Sequence, residues 1–242
     1  MSTPKADSIA LAVFDVDHTL VRGSSGGAFI GYLWRNAILT PEQRKLVARE
    51  LLAYRFRRRT GRDLVELGAR LFAGLAEDEL RHHARRCVAE DVHKAVYREA
   101  LDAIERCRAQ GLTVVLASGS TELVIEPLAE LVGASLGIGS RAAIRGGRLT
   151  DEVEQPIPYK EGKVARIERA FEGRAIDWAR STAFTDRAID VPLLERVGRG
   201  VAVNPRGSLG PLALERGWRV ERWSRVMGVP HASAHRRHPR KR

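Results

Sequence analysis

The chain has 242 residues, 44% of them hydrophobic and 29% charged, with a formal net charge of +11. That length suits one large domain or a core with an insertion, and the balance is ordinary for a soluble globular protein. No apolar run is long enough to cross a bilayer, Met1 to Asp7 has no signal-peptide core, and Cys87 and Cys107 make no C-x-x-C metal pattern, so the expectation is a cytoplasmic protein with free thiols.

In chain order, Ile9-Ala10-Leu11-Ala12-Val13-Phe14 reads as a buried strand. It runs straight into Asp15-Val16-Asp17-His18-Thr19-Leu20. Two carboxylates just past a strand end suit a cation and a phosphoryl group, although a solvated turn also favours Asp. From Ser24 to Arg108 no segment reads as a strand. Ala28 to Asn36 reads as a helix. Thr40-Pro41-Glu42-Gln43 is a cap with Pro at the first helical position, opening a helix to about Arg59. Asp63 to Leu75 carries Leu64, Leu67, Leu71 and Leu75 at helical spacing. Glu77 to Gln110 reads as two helices stopped by Gly111.

The remainder alternates. Strands are expected at Leu112–Ala117, Thr182–Phe184, Gly200–Val203 and Trp218–Glu221. Helices are expected at Thr121–Leu131, Gly162–Phe171, Ile189–Val197 and Leu209–Arg216. A hairpin is expected over Leu136–Leu149, turning at Gly146-Gly147. This pattern predicts an α/β fold: a Rossmann-like, mostly parallel sheet with helices on both faces and an all-helical cap inserted after the first strand. The expected division is a core of residues 1–22 and 109–230, a cap of 23–108 and a basic, disordered tail of 231–242.

The tail carries five of the eleven net charges, on Arg236, Arg237, Arg240, Lys241 and Arg242. A second basic cluster is Arg55-Phe56-Arg57-Arg58-Arg59. It suits either a solvated helix end or a contact surface for an acidic or phosphorylated ligand.

In open α/β sheets, ligands sit at the carboxyl ends of the strands. The polar residues expected there are Asp15 and Asp17, then Ser118-Gly119-Ser120, then Thr185-Asp186 with Asp190. Lys160 and Lys163 stand near the start of the helix after Tyr159. Four carboxylates, a hydroxyl, a glycine turn and a cation are what metal-assisted phosphoryl transfer through an aspartyl-phosphate needs.

These residues resemble, in order, the four motifs of the haloacid dehalogenase superfamily, in the branch similar to phosphoserine phosphatases. D-x-D-x-T matches Asp15, Asp17 and Thr19. The small hydroxyl residue after a hydrophobic strand matches Ser118, with Gly119 behind it. The lysine opening a helix matches Lys163. D-x-x-x-D before an apolar run matches Asp186 and Asp190. Gly200-Val201-Ala202-Val203-Asn204-Pro205 is also similar to this branch.

The resemblance implies Asp15 as nucleophile and Asp17 as general acid, then base. It implies Mg²⁺ on the Asp15 and Asp186 carboxylates and the Asp17 carbonyl, with Asp190 either a ligand through water or a partner of Lys163. Ser118 and Gly119 would hold phosphoryl oxygens, and Lys163, preferred over Lys160, would offset the charge. A phosphatase acting on a small phosphorylated metabolite is expected. Phosphotransfer to an alcohol would use the same intermediate, and a basic binding module on a non-catalytic version of the fold is the alternative from another class. Nucleic acid is not expected as a partner despite the basic tail.

Two departures bear on the substrate. Phosphoserine phosphatases carry an acid shortly after the first motif, but Val21-Arg22-Gly23-Ser24-Ser25-Gly26-Gly27 has none. An ammonium buried there would lack a partner, so phosphoserine is disfavoured, and Arg22, Ser24 and Arg57 become candidates for an anionic or polar leaving group. Arg187 stands where the branch has a small Ser and could compete for Asp186 or face solvent. His18 and Thr19 are expected to be turn residues, His82 and His83 solvent-facing, and Trp218 and Trp223 packing residues.

Overall fold

The computed structural model describes residues 8–55 and 61–228. The basic cluster around Arg57 and the tail of 231–242 lie outside these residues. The first strand, β1 (Leu11–Phe14), is fully buried. Ile9 and Ala10 precede it, Ile9 making only an isolated bridge to Ile176. A helical stretch follows: α1 (Ser25–Arg35), α2 (Pro41–Arg55), α3 (Gly61–Phe72), α4 (Glu77–Glu90), a 3₁₀ turn at Val92–Ala95, and α5 (Arg98–Ala109). Then come β2 (Thr113–Thr121), α6 (Glu122–Val132), β3 (Leu136–Ser140), β4 (Ala142–Arg145), β5 (Arg148–Val153) and α7 (Glu161–Ala170). The described residues end with β6 (Thr182–Arg187), α8 (Val191–Arg196), β7 (Arg199–Arg206), α9 (Leu209–Glu215) and β8 (Arg219–Glu221).

Six strands form one sheet in the order β3-β2-β1-β6-β7-β8, and every pairing in it is parallel. Successive side chains of a strand face opposite sides. Accordingly Leu11 and Val13 enter one core cluster, with Ile167, Leu193 and Leu209. Ala12 and Phe14 enter the other, with Phe29, Leu80 and Ile104. Both faces are therefore covered, as an all-parallel sheet requires. Phe14 stacks on Phe184 with ring centroids 4.2 Å apart, locking the central strand to its neighbour.

Local chemistry sets the helix starts. Thr40 Oγ1 accepts from the Gln43 backbone N–H, and Gln43 Oε1 accepts from the Thr40 N–H. This is a reciprocal capping box ahead of Pro41.

Several expectations change. The strand expected at Leu112–Ala117 runs on to Thr121 and takes in Ser118-Gly119-Ser120. Leu136–Leu149 is not one hairpin: β3 joins the main sheet beside β2, and the hairpin is β4 with β5, turning at Gly146-Gly147. The strand expected at Thr182–Phe184 runs on to Arg187, because its last residue pairs with Arg206 of β7. His83 is not solvent-facing. Its ring lies against Tyr32 and its Nδ1 is buried without a partner, whereas His82 is exposed. Trp223 is buried against Phe184, as expected of a packing residue.

Candidate active site

β1, β2 and β6 are neighbours, and their carboxyl ends open on the same rim. The chain leaves β1 for β2 on one side and pairs with β6 on the other, so this is the topological switch point where ligands bind in such sheets. A cavity of about 130 Å³ lies there. Asp15, Asp17, Ser118, Gly119, Lys163, Asp186 and Asp190 all line it.

Asp15 is the first residue past β1, and its N–H donates to the Phe184 carbonyl at 2.9 Å. The loop then closes on itself. Thr19, Leu20 and Val21 all donate backbone bonds to the Val16 carbonyl, and buried Leu20 and Val21 anchor it. His18 takes a left-handed φ of 64° at the tight point of this turn.

The Asp15 carboxylate is held from both sides. Lys163 Nζ donates to Oδ1 at 2.8 Å and Thr19 Oγ1 to Oδ2 at 3.0 Å. Lys163 also donates to Asp190 Oδ2 at 2.8 Å, an atom that accepts from Thr185 Oγ1 at 2.7 Å as well. Lys163 is only 2% exposed and Asp190 3%. Burial alone would lower the lysine's pKa, but the two carboxylates reverse this and keep it charged. Lys160, by contrast, is exposed.

Asp17 is gripped by residues from separate elements. Ser25, at the start of α1, donates to its Oδ1 from the backbone N–H at 2.7 Å and from Oγ at 2.6 Å. Ser120 Oγ donates to Oδ2 at 2.7 Å. Gly119 is pinned through its carbonyl, which accepts from Ser140 Oγ.

Asp186 is the group left over. Its Oδ2 is buried with no hydrogen-bond partner. The nearest cation is Arg206, with Nη1 at 3.7 Å, which is beyond a hydrogen bond. Burial, then the charge of Asp15, pushes Asp186 up to about 7. Asp15 itself is raised to about 6, chiefly by burial and against the pull of Lys163. Two buried carboxylates that resist ionising together, one with a bare oxygen, fit a divalent cation. Among the described residues no three His, Cys, Asp or Glu side chains form a metal cage. A cation here would keep several waters, which suits Mg²⁺.

Arg187 is exposed and makes no ion pair with Asp186 among the described residues; Arg206 is the guanidinium beside that carboxylate. Arg22 is exposed and Ser24 caps α1 by accepting from the Gly27 N–H at 3.1 Å, and neither lines the cavity. Arg57 lies outside the described residues.

Four polar residues in the site carry no sequence-level role: Ser25, Ser120, Thr185 and Arg206. The available signals were a second hydroxyl two residues past Ser118 for Ser120 and a hydroxyl directly before Asp186 for Thr185. Ser25 and Arg206 gave none, because their contacts join segments far apart in the chain.

Comparison with known proteins gives the family. Residues 12–195 match the haloacid dehalogenase-like hydrolases. The chain belongs to this family. It is 32% identical over 216 residues to the inhibition of morphological differentiation protein of Streptomyces azureus, covering 86% of this chain and 76% of that one. It is 30% identical over 257 residues to a phosphoserine phosphatase of Mycobacterium tuberculosis, covering 96% and 78%. A solved structure of a protein of unknown function from Bordetella pertussis superposes with a TM-score of 0.79 at 28% identity, covering 88% of this chain and 98% of that one. The relatives and the fold together put the hydrolase among phosphatases of the phosphoserine-phosphatase-like branch.

Proposed function

We propose that this phosphatase hydrolyses a small phosphate monoester with Mg²⁺, through an aspartyl-phosphate on Asp15. One observation carries the reading: Asp15, Asp17, Ser118, Lys163, Asp186 and Asp190, six polar residues from four separate segments, line a single small cavity, with Lys163 bridging Asp15 and Asp190. Nothing in the packing of the core calls for that convergence, and buried charges are costly unless they serve one another or a ligand.

Each group has a task. Asp15, held by Thr19 and Lys163, attacks phosphorus in line. Fixed geometry offsets the weak basicity of a carboxylate. Ser118 Oγ and the Gly119 N–H receive phosphoryl oxygens, and Lys163 balances the negative charge gathered there. Asp17 protonates the leaving oxygen and then takes a proton from the attacking water. The Ser25 N–H can only donate, so Oδ1 stays an acceptor and the shuttled proton sits on Oδ2, facing Ser120. Asp15 and Asp186, with the Asp17 carbonyl, would hold Mg²⁺, which supplies charge neutralisation at the transferring phosphoryl group. Asp190 acts as the partner of Lys163. Residues 23–108 act as the cap over this core, and the two buried thiols suit a reducing, cytoplasmic setting.

Phosphoserine is not the substrate in this reading. Every carboxylate lining the cavity belongs to the phosphoryl and metal machinery, which leaves none for an ammonium group. The test is release of phosphate from an aryl phosphate with Mg²⁺. Activity that falls by at least ~1,000-fold in Asp15→Asn, and disappears with a chelator, is expected. An Asp15→Asn protein as active as wild type would overturn the proposal.

A further inference from the structure

Arg187 ends β6 and Arg206 ends β7. They are register partners on adjacent parallel strands, at the rim where the phosphoryl site opens. Like charges set side by side across a sheet repel one another, and a fold gains nothing from that arrangement unless an anion comes between them. Asp186 is close enough to be drawn by both guanidiniums, yet no ion pair of hydrogen-bond length joins it to either among the described residues. Arg187 makes no ion pair among the described residues, and Arg206 has only Asp186, at 3.7 Å.

Arg187 lines the same cavity as Asp15 and Ser118, with His18 alongside, and Arg206 stands just behind that lining, beside Asp186. The remaining lining at this mouth, Pro158, Tyr159 and Ile189, brings no negative charge. Outside the phosphoryl machinery, the charges at this mouth are those of the two arginines. An arginine fork is the side chain best shaped to take a carboxylate or phosphate through paired N–H groups.

We infer that Arg187 and Arg206 form a subsite for a second anionic group of the substrate, so that the enzyme acts on small phosphate monoesters whose alcohol part carries a carboxylate or a second phosphate close to the ester. This rests on the phosphatase reading above. It moves the recognition of the leaving group from Arg22, Ser24 and Arg57 to the strand ends beside the phosphoryl site.

The test compares three two-carbon esters at saturating Mg²⁺: ethylene glycol monophosphate, phosphoglycolate and ethylene glycol bisphosphate. The expected result is a kcat/KM at least tenfold higher for one of the anionic esters than for the uncharged one. Whichever of the two is preferred names the second group. Arg187→Gln and Arg206→Gln each lower that ratio severalfold, and together tenfold or more, while Arg187→Lys loses less. The melting temperature of Arg187→Gln stays level or rises, because a like-charge neighbour is gone.

A wild-type ratio near one overturns the inference. So does an equal loss on all three esters, which would assign the arginines to the scissile phosphoryl group or to Asp186. A fall of several degrees in the melting temperature of Arg187→Gln would make its role structural and overturn it too. If the wild type cleaves none of the esters, nor an aryl phosphate, the phosphatase reading itself fails and takes this one with it.

Discussion

At the scale of single residues, Lys163 is the pivot. It is a buried cation between two buried carboxylates, and its worth is set by what its loss would leave behind. Lys163→Met keeps the side-chain volume but strands Asp15 and Asp190 against each other. Breaking a buried pair in this way costs about 3–5 kcal/mol, so urea denaturation should show a loss of that size together with loss of activity. A stable, active Lys163→Met protein would mean that the triad is not coupled as described. Asp17 gives a sharper chemical test. Ser120 faces the oxygen assigned to carry the proton. Ser120→Ala should slow hydrolysis of an alkyl ester by roughly 10–100-fold, because a poor leaving group needs the acid. The same change should slow an aryl ester by only a few-fold. Equal effects on both would remove Ser120 from the acid's function.

At the scale of elements, the site depends on where α7 begins. Gly162 stands just before Lys163, and a Cβ there would overlap the Ile157 carbonyl oxygen. Gly162→Ala must therefore shift the start of α7 and carry Lys163 with it. We expect a loss of about 1–3 kcal/mol of stability and about a hundredfold loss of kcat/KM from the misplaced ammonium, read by thermal melting beside steady-state kinetics. An Ala variant with wild-type kinetics would show that α7 absorbs the strain without moving Lys163.

Glycine also explains where the sequence misleads. Leu136-Gly137-Ile138-Gly139-Ser140 has the look of turn material, so it was natural to merge it with the hairpin after it. In the structure it is a main-sheet strand whose glycines let α6 press against the backbone. A Cβ on Gly137 would come within 2.7 Å of the Ile125 carbonyl oxygen. Close approach between elements is a tertiary demand, and glycine answers it with the same letter it uses for a turn. The Thr40–Gln43 capping box needed no such context, since both of its bonds lie within four residues.

At the scale of the whole molecule, most of the order of strands and helices was legible because β1, β2, β6 and β7 each carry a short apolar run and helices such as α3 bury one side. The catalytic acids were legible for a related reason. A carboxylate at the end of a buried strand has few structural uses; Asp15 directly follows β1, and Asp186 is the last residue but one of β6. The partners of those acids were not legible. Ser25 and Ser120 meet at Asp17 from positions 8 and 103 residues away from it, and only the folded sheet brings them together. The same holds for the pairing of Arg187 with Arg206, which follows from strand register and not from local sequence.

Fold and site are coupled through the parallel sheet. Phe14 and Phe184 stack immediately before Asp15 and two residues before Asp186, so the packing that joins β1 to β6 also sets the spacing of the two acids. The central claim is that Asp15 becomes phosphorylated. The most direct test mixes the enzyme with a ³²P-labelled ester and Mg²⁺, quenches it in acid within one turnover, and maps the label. The account predicts hydroxylamine-labile phosphate on the peptide containing Asp15, absent from Asp15→Asn. Label on another residue, or full turnover with no acid-trapped phosphoenzyme at any quench time, would contradict it.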